Sequence, residues 1–266
     1  MRPTAALILT ALTLAGCDSP PPPAPAAPPP PPAAPASPEV AKILAPSPLK
    51  LEAEVREAGV ADALGDLVPV SPAEVTTDDK DRIAVRTGVV LAYAVLGGRE
   101  TPKGPFVAQL RSARAGMAAL GAGQGLLSTI DDSIGHIEND AASREDFLRE
   151  LDNIVGYAVP EQGWGPSDNT GPLLQAGAWL AGTNVVARAI VRSGKAEAAD
   201  KLLRRKDVAE YFRGYVRTAG QEKAGAVAEQ LDKTLTMMIE VAEKPTLGLE
   251  DATAVADATD ALLKLL

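Results

Sequence analysis

The sequence of 266 residues predicts an all-α fold. Aromatic residues make up only 3% of the chain, whereas alanine, leucine and valine are abundant, and this composition favours closely packed helices over a β-rich sandwich. Apolar residues recur at helical spacings, and no segment of useful length alternates with the period typical of strands. We therefore expect a multi-helix bundle of about eight or nine helices over residues 49–266.

The N-terminus has the pattern of an export signal. Arg2 precedes an apolar run over residues 5–16, which is far shorter than the roughly 20 residues that span a bilayer. The run ends in Leu14-Ala15-Gly16-Cys17, which resembles the lipobox of bacterial lipoproteins. The resemblance implies that residues 1–16 are a lipoprotein signal peptide. It also implies that Cys17 becomes the acylated first residue of the mature protein, with the lipid bilayer as its partner.

The residue after the cysteine bears on which membrane holds the lipid. Asp18 resembles the enterobacterial signal for retention in the inner membrane. The composition, rich in Ala, Pro and Arg, indicates a host other than the enterobacteria to which that signal applies. We expect the outer membrane, with the domain facing the periplasm, and keep the periplasmic face of the inner membrane as the alternative.

Residues 17–48 combine the lipidated cysteine with a linker made mainly of alanine and proline. Proline cannot join helix or sheet hydrogen-bond ladders, so we expect a disordered segment rich in polyproline II. At about 3.1 Å per residue, Pro20 to Pro38 would extend on the order of 60 Å and act as a spacer. Its PxxP motifs would also fit an aromatic groove of a partner, although a spacer needs no partner.

Local signals divide the globular part into helices. Pro69 follows the first helix, Gly97-Gly98 ends the second, and Pro105 suits the first turn of the third. Ser143 followed by Asp146 imitates a capping box at the start of the fifth. The predicted helices are Leu51–Leu67, Asp78–Gly97, Phe106–Leu120, Leu126–Asn139, one from Ser143 to about Val159, Leu173–Ser193, Ala196–Thr218 with a break near Lys206, Ala224–Glu243 and Leu249–Leu266.

Pro160–Pro172 forms a conspicuous loop inside the predicted domain, rich in Gly, Pro, Asn and Asp. It suggests a hinge between two halves, residues 73–159 and 173–266. Each half opens with a helix of small and apolar residues, around Gly88 in the first and Gly177 in the second. An internal duplication and an ordinary succession of buried and amphipathic helices are the two alternatives.

The inventory of reactive residues favours a protein without catalysis, cofactor or metal. His136 is the only histidine, and we expect it on a helix flank rather than as the base of a nucleophile. With Cys17 as the only cysteine, neither a disulfide nor a thiolate zinc site is expected. Asp131, Asp132 and Asp140 belong to an acidic group whose spacing fails the EF-hand pattern, so we expect a solvated face.

Charge argues against a general nucleic-acid binder, because the net charge of −9 becomes −10 once Arg2 is removed with the signal peptide. Residues 186–223 carry ten basic and five acidic residues, and residues 224–266 carry three basic and eight acidic ones. One interpretation is that the two segments pack together and neutralise each other. Alternatively, the basic segment, with Arg204 and Arg205, binds an envelope protein or an anionic cell-wall polymer.

These observations favour a non-catalytic binding or scaffold module of the cell envelope. Trp164 in the internal loop is a further candidate partner contact, with packing over the edge of the core as its alternative. A helical carrier of an apolar ligand is the second hypothesis. Its cavity would lie between the two apolar helices, where small residues leave room. The expected lining is Gly88, Val89, Gly177, Ala178 and Leu180. A hydrolase that uses serine with lysine, or two carboxylates, is the distant third.

Replacing Cys17 tests the anchoring. Diacylglycerol transfer needs the thiol, so Cys17→Ala should leave the protein unlipidated and release the folded domain from the membrane. Acyl labelling and membrane fractionation measure both effects. Acyl label on the variant, or an unlipidated wild-type protein, would defeat the lipobox interpretation.

Overall fold

The computed structural model describes residues 47–69, 71, 74–141, 143–154, 170–220 and 226–266, which all belong to one compact unit. Over these ranges the chain is helical and has no strands, which confirms the predicted all-α class. The predicted signal peptide, Cys17, the linker up to Pro46 and Trp164 lie outside the described residues.

Eleven α-helices are described, more than the number predicted, because two predicted helices are each divided in two. They are α1 (Pro48–Glu57), α2 (Leu64–Leu67), α3 (Lys80–Gly97), α4 (Lys103–Ala119), α5 (Gln124–Glu138), α6 (Arg144–Asn153), α7 (Thr170–Ser193), α8 (Ala196–Leu202), α9 (Lys206–Gly220), α10 (Ala226–Ala242) and α11 (Leu249–Leu265).

The first predicted helix, Leu51–Leu67, is wrong as a single element. Gly59 adopts the left-handed conformation with φ +72°, and its N–H donates to the Arg56 carbonyl at 2.9 Å. The N–H of Val60 donates to the Val55 carbonyl at 3.1 Å, which completes a Schellman motif and ends α1. A 3₁₀ turn and the short α2 follow.

Other helix ends follow the predicted signals. The Ser143 hydroxyl accepts the Asp146 N–H at 3.1 Å and caps α6. The glycine pair after α3 lies where that helix ends, at Gly97. The break expected near Lys206 is present, since α8 ends at Leu202 and α9 begins at Lys206.

Helices α3 and α7 make the most extensive helix contact of the described structure. Glycine permits it, because a Cβ added at Gly88 would lie 1.9 Å from the Leu174 carbonyl oxygen. A Cβ added at Gly177 would lie 2.1 Å from the carbonyl oxygen of Val85. The space predicted for an apolar ligand beside these glycines is therefore filled by the main chain of the opposing helix.

Buried apolar side chains form two clusters. The first lies among α3 to α6, where Phe106 and Phe147 meet edge to face with ring centroids 5.5 Å apart. The second joins the N-terminal helices, α7 and the C-terminal helices, and includes Trp179 and Phe212 with centroids 5.6 Å apart. Helix α7 contributes side chains to both clusters and is therefore central to the domain.

The two predicted halves differ in packing order. Apart from their contact with each other, α3 packs most extensively on α4, the next helix in the chain, and α7 packs most extensively on α11, the last helix. The internal duplication stays a prediction. A bilayer-spanning segment is not found among the helices of the described ranges.

Substitution of Gly177 tests the close contact of α3 and α7. In Gly177→Ala the methyl group meets the Val85 main chain, and overpacking of this kind costs about 1 to 3 kcal/mol. Gly135→Ala is the matched control, because no atom lies within 4 Å of the added Cβ in α5. There the better helix former should add about 0.5 to 1 kcal/mol. Urea denaturation measures both, and equal midpoints for the two variants would contradict the close contact.

Candidate functional site

Arg204, a predicted partner contact, holds the C-terminal end of α10. Its guanidinium donates to the carbonyls of Ala242 at 2.9 Å and Lys244 at 2.7 Å, and more weakly to that of Pro245 at 3.3 Å. It also forms an ion pair with Asp200 one helical turn earlier. Carbonyls at a helix end have no partner within the helix, so Arg204 supplies one from another element.

Asp200 completes this junction. Its carboxylate accepts the Leu247 N–H at 3.1 Å, which fixes the turn between α10 and α11. The hydrogen bond from Arg204, with a smaller contribution from Leu247, holds the pKa of Asp200 below its ordinary value. Arg205, the neighbouring predicted contact, lies 3.3 Å from the Asp207 carboxylate. Both arginines are thus engaged within the domain.

The basic and acidic C-terminal segments pack against each other, as one of the two sequence-based alternatives predicts. Helices α9 and α10 form an interface between oppositely charged side chains, in which Arg217 pairs with Asp232 at 2.6 Å. Lys206 pairs with Glu243, also at 2.6 Å. The hydrogen bond between them raises the pKa of Lys206 and lowers the pKa of Glu243. These pairs neutralise part of the opposite charges that the two segments carry.

Asp131 and Asp140 of the acidic group are also engaged in ion pairs. Asp131 pairs with Arg114 at 2.8 Å, and the hydrogen bond between them lowers the pKa of Asp131. Asp140 pairs with Lys103 at 2.9 Å, and His136 is exposed on α5. No group of three or more His, Cys, Asp or Glu side chains suited to a metal ion occurs in the described part of the chain.

A polar junction buried between α7 and α11 is satisfied internally. The Asn184 side-chain amide donates to Thr259 Oγ1 at 2.9 Å and to Asp260 Oδ1 at 2.8 Å. Arg188 lies 3.8 Å from the same carboxylate. Burial, followed by the charge of Asp260, raises the pKa of Tyr93 to about 12. This junction fixes α11 on α7 and offers no free group to a ligand.

The remaining basic side chains of the α7–α8 region contact the first helices. We call residues 48–68 the N-terminal strap; they pack on α3, α6 and α7. Lys201 Nζ lies 2.7 Å from the Glu57 carboxylate, and Arg192 lies 2.8 Å from that of Asp66. Lys195 Nζ donates to the Gly59 carbonyl at 2.7 Å. Local sequence patterns did not predict these contacts.

The other end of the strap is fixed by carboxylates. Asp152 of α6 accepts the Leu49 N–H at 3.0 Å, where α1 begins. Burial raises the pKa of Asp152, and hydrogen bonds from Leu49 and Ser47 oppose that rise. Glu52, whose side chain is 3% exposed, accepts from Arg99 at 2.9 Å and from Arg56 in its own helix. Such a buried carboxylate requires its cationic partners.

An apolar crevice lies under the strap and is the candidate functional site. Trp179 of α7, 5% exposed, forms part of its wall. The free space is about 10 Å³, room for at most one water molecule. In this state the crevice therefore holds no ligand-sized cavity. The lining residues are Leu51, Glu54, Trp179, Thr183, Val186, Leu202, Leu203, Arg205 and Met238.

Removal of Arg204 distinguishes structure from partner contact. Arg204→Ala leaves the carbonyls of Ala242 and Lys244 without this donor, so we expect a loss of about 1 to 3 kcal/mol of folding free energy. Arg111→Ala removes an exposed ion pair with Glu138 and should cost no more than about 1 kcal/mol. Chemical denaturation compares them. If Arg204→Ala is no more costly than Arg111→Ala, the helix-end role assigned to Arg204 is wrong.

Comparisons with known proteins add no family or relative. No protein-family model matches the chain, and searches of curated proteins and of solved structures found no similar protein.

Proposed function

We propose that the chain is a membrane-anchored lipoprotein of the cell envelope whose helical domain acts as a non-catalytic binding or scaffold module. The observation that carries the proposal is Leu14-Ala15-Gly16-Cys17, which resembles a lipobox, followed by the proline-rich residues 18–48. The proposed location is the outer membrane, facing the periplasm. The inner membrane is the alternative because of Asp18.

The ion pairs of the domain support a protein partner over an anionic cell-wall polymer. Basic residues that would attract a polymer, such as Arg192, Lys201 and Arg217, each pair with a carboxylate of the domain itself. Arg204 is engaged with main-chain carbonyls. A net charge of −9 opposes long-range attraction to an anionic polymer.

The interior gives little support to the apolar carrier. Gly88 and Gly177 bring helix backbones together and leave no space for a ligand between them. The crevice beside Trp179 has about 10 Å³ of free space, whereas pockets for small molecules measure about 300 to 1,000 Å³. We therefore propose that recognition takes place at the protein surface.

Co-purification from native membranes tests this function. The wild-type chain should recover a protein partner that also binds the purified chain. The Trp164→Ala variant should recover less of it at an unchanged melting midpoint, if Trp164 contacts the partner. Trp179→Ala is the matched control. Truncation of this buried side chain should lower the free energy of unfolding by about 3 to 5 kcal/mol and reduce partner recovery through unfolding.

One outcome would contradict the proposed function, and two others would exclude Trp164 as a partner contact. A stoichiometric apolar small molecule with no protein partner would favour the carrier. Recovery by both tryptophan variants equal to that of the wild type would exclude Trp164 as a contact. Loss of stability in Trp164→Ala similar to that in Trp179→Ala would assign Trp164 to the core.

A further inference from the structure

The N-terminal strap has the pattern of an acidic amphipathic ligand. Five of its apolar residues are buried, none of them more than 6% exposed, whereas Leu49 and Leu67 are half-buried and Ala53 is exposed. Five acidic residues against two basic ones give it a net negative charge. The buried apolar residues are Leu51, Val55, Val60, Leu64 and Val68.

The surface under the strap has the complementary pattern. Its centre is the crevice with Trp179 and Met238, and its edge carries Arg192, Lys195 and Lys201. Each of these three basic side chains contacts the strap. An apolar centre with a basic edge is the arrangement that binds an amphipathic helix with acidic flanks.

The strap occupies this surface as interrupted pieces. Gly59 ends α1 after ten helical residues, and α2 has four. Helices this short are marginal alone, so the strap depends on its contacts with the rest of the domain. The carboxylates of Glu57 and Asp66 are 73% and 71% exposed, and exposed ion pairs stabilise little.

We propose that the surface of α7 and α8 under the strap is a docking site for an acidic amphipathic helix of a protein partner, and that residues 48–68 occupy it in the unbound protein. The site is opened by local release of the strap, which withdraws its own apolar residues from the cluster around Trp179 while the rest of both core clusters remains packed. This inference rests on the proposed binding function and names the surface and the kind of partner. Its test uses the purified chain and a peptide, so it can fail while partner capture at another surface succeeds.

The probe is a dye-labelled peptide with the sequence of residues 48–68, used as the acidic amphipathic helix. It is titrated onto the full chain carrying Glu57→Lys and Asp66→Lys, which weaken the strap and leave the basic edge intact. We expect at least tenfold tighter peptide binding than to the wild-type chain. The affinity should fall between 0.1 M and 1 M salt, as the screening length drops from about 10 Å to about 3 Å.

The matched control carries Asp131→Lys and Glu138→Lys, which reverse two exposed carboxylates of α5 paired with Arg114 and Arg111. This variant should bind the peptide no better than the wild type. Circular dichroism confirms that each variant keeps its helical content. A peptide that itself carries the two strap substitutions should bind the released surface at least tenfold more weakly.

Hydrogen exchange on the wild-type chain keeps the proposal testable if the strap variant fails to fold. Amides of α1 should exchange faster than those of α7 and through a smaller opening. Exchange of α1 only through global unfolding would overturn the proposal, as would equal peptide affinity for the strap and control variants. A strap variant that forms dimers instead would assign the surface to a second copy of the chain and equally overturn it.

Discussion

The main-chain contact between α3 and α7 is the constraint on which the rest of the fold depends. Gly88 and Gly177 let the two helices approach until only a hydrogen atom fits between each glycine and the opposing carbonyl. Both helices are apolar on most of their surface and need cover on several sides. Helices α4 to α6 supply it around α3, and the strap with α8 to α11 supplies it around α7.

Much of the helix pattern could be predicted because its signals are local. Ser143 caps α6 as predicted, whereas the end of α1 was missed although Gly59 is an ordinary C-terminal signal. The cavity beside Gly88 and Gly177 was wrong for a physical reason. A small residue permits either free space or close approach, and only the position of the opposing helix decides between them.

The candidate site was less predictable, because its contacts join residues far apart in the sequence. Lys201 and Glu57 are separated by 144 positions, and local spacing does not select one carboxylate among many. Arg204 was singled out by charge, yet it binds backbone carbonyls, which leave no signature in a sequence. The one available signal was charge complementarity: residues 51–67 carry five acidic residues and one basic residue, whereas residues 186–223 are basic.

The position of α7 has a thermodynamic consequence. Leu174 of this helix belongs to one core cluster and Leu180 to the other, so neither cluster can lose its packing without taking part of the other with it. We therefore expect the two clusters to melt as one cooperative system, with calorimetric and van't Hoff enthalpies that agree. A substitution in α4 and one in α10 therefore act on the same folding equilibrium.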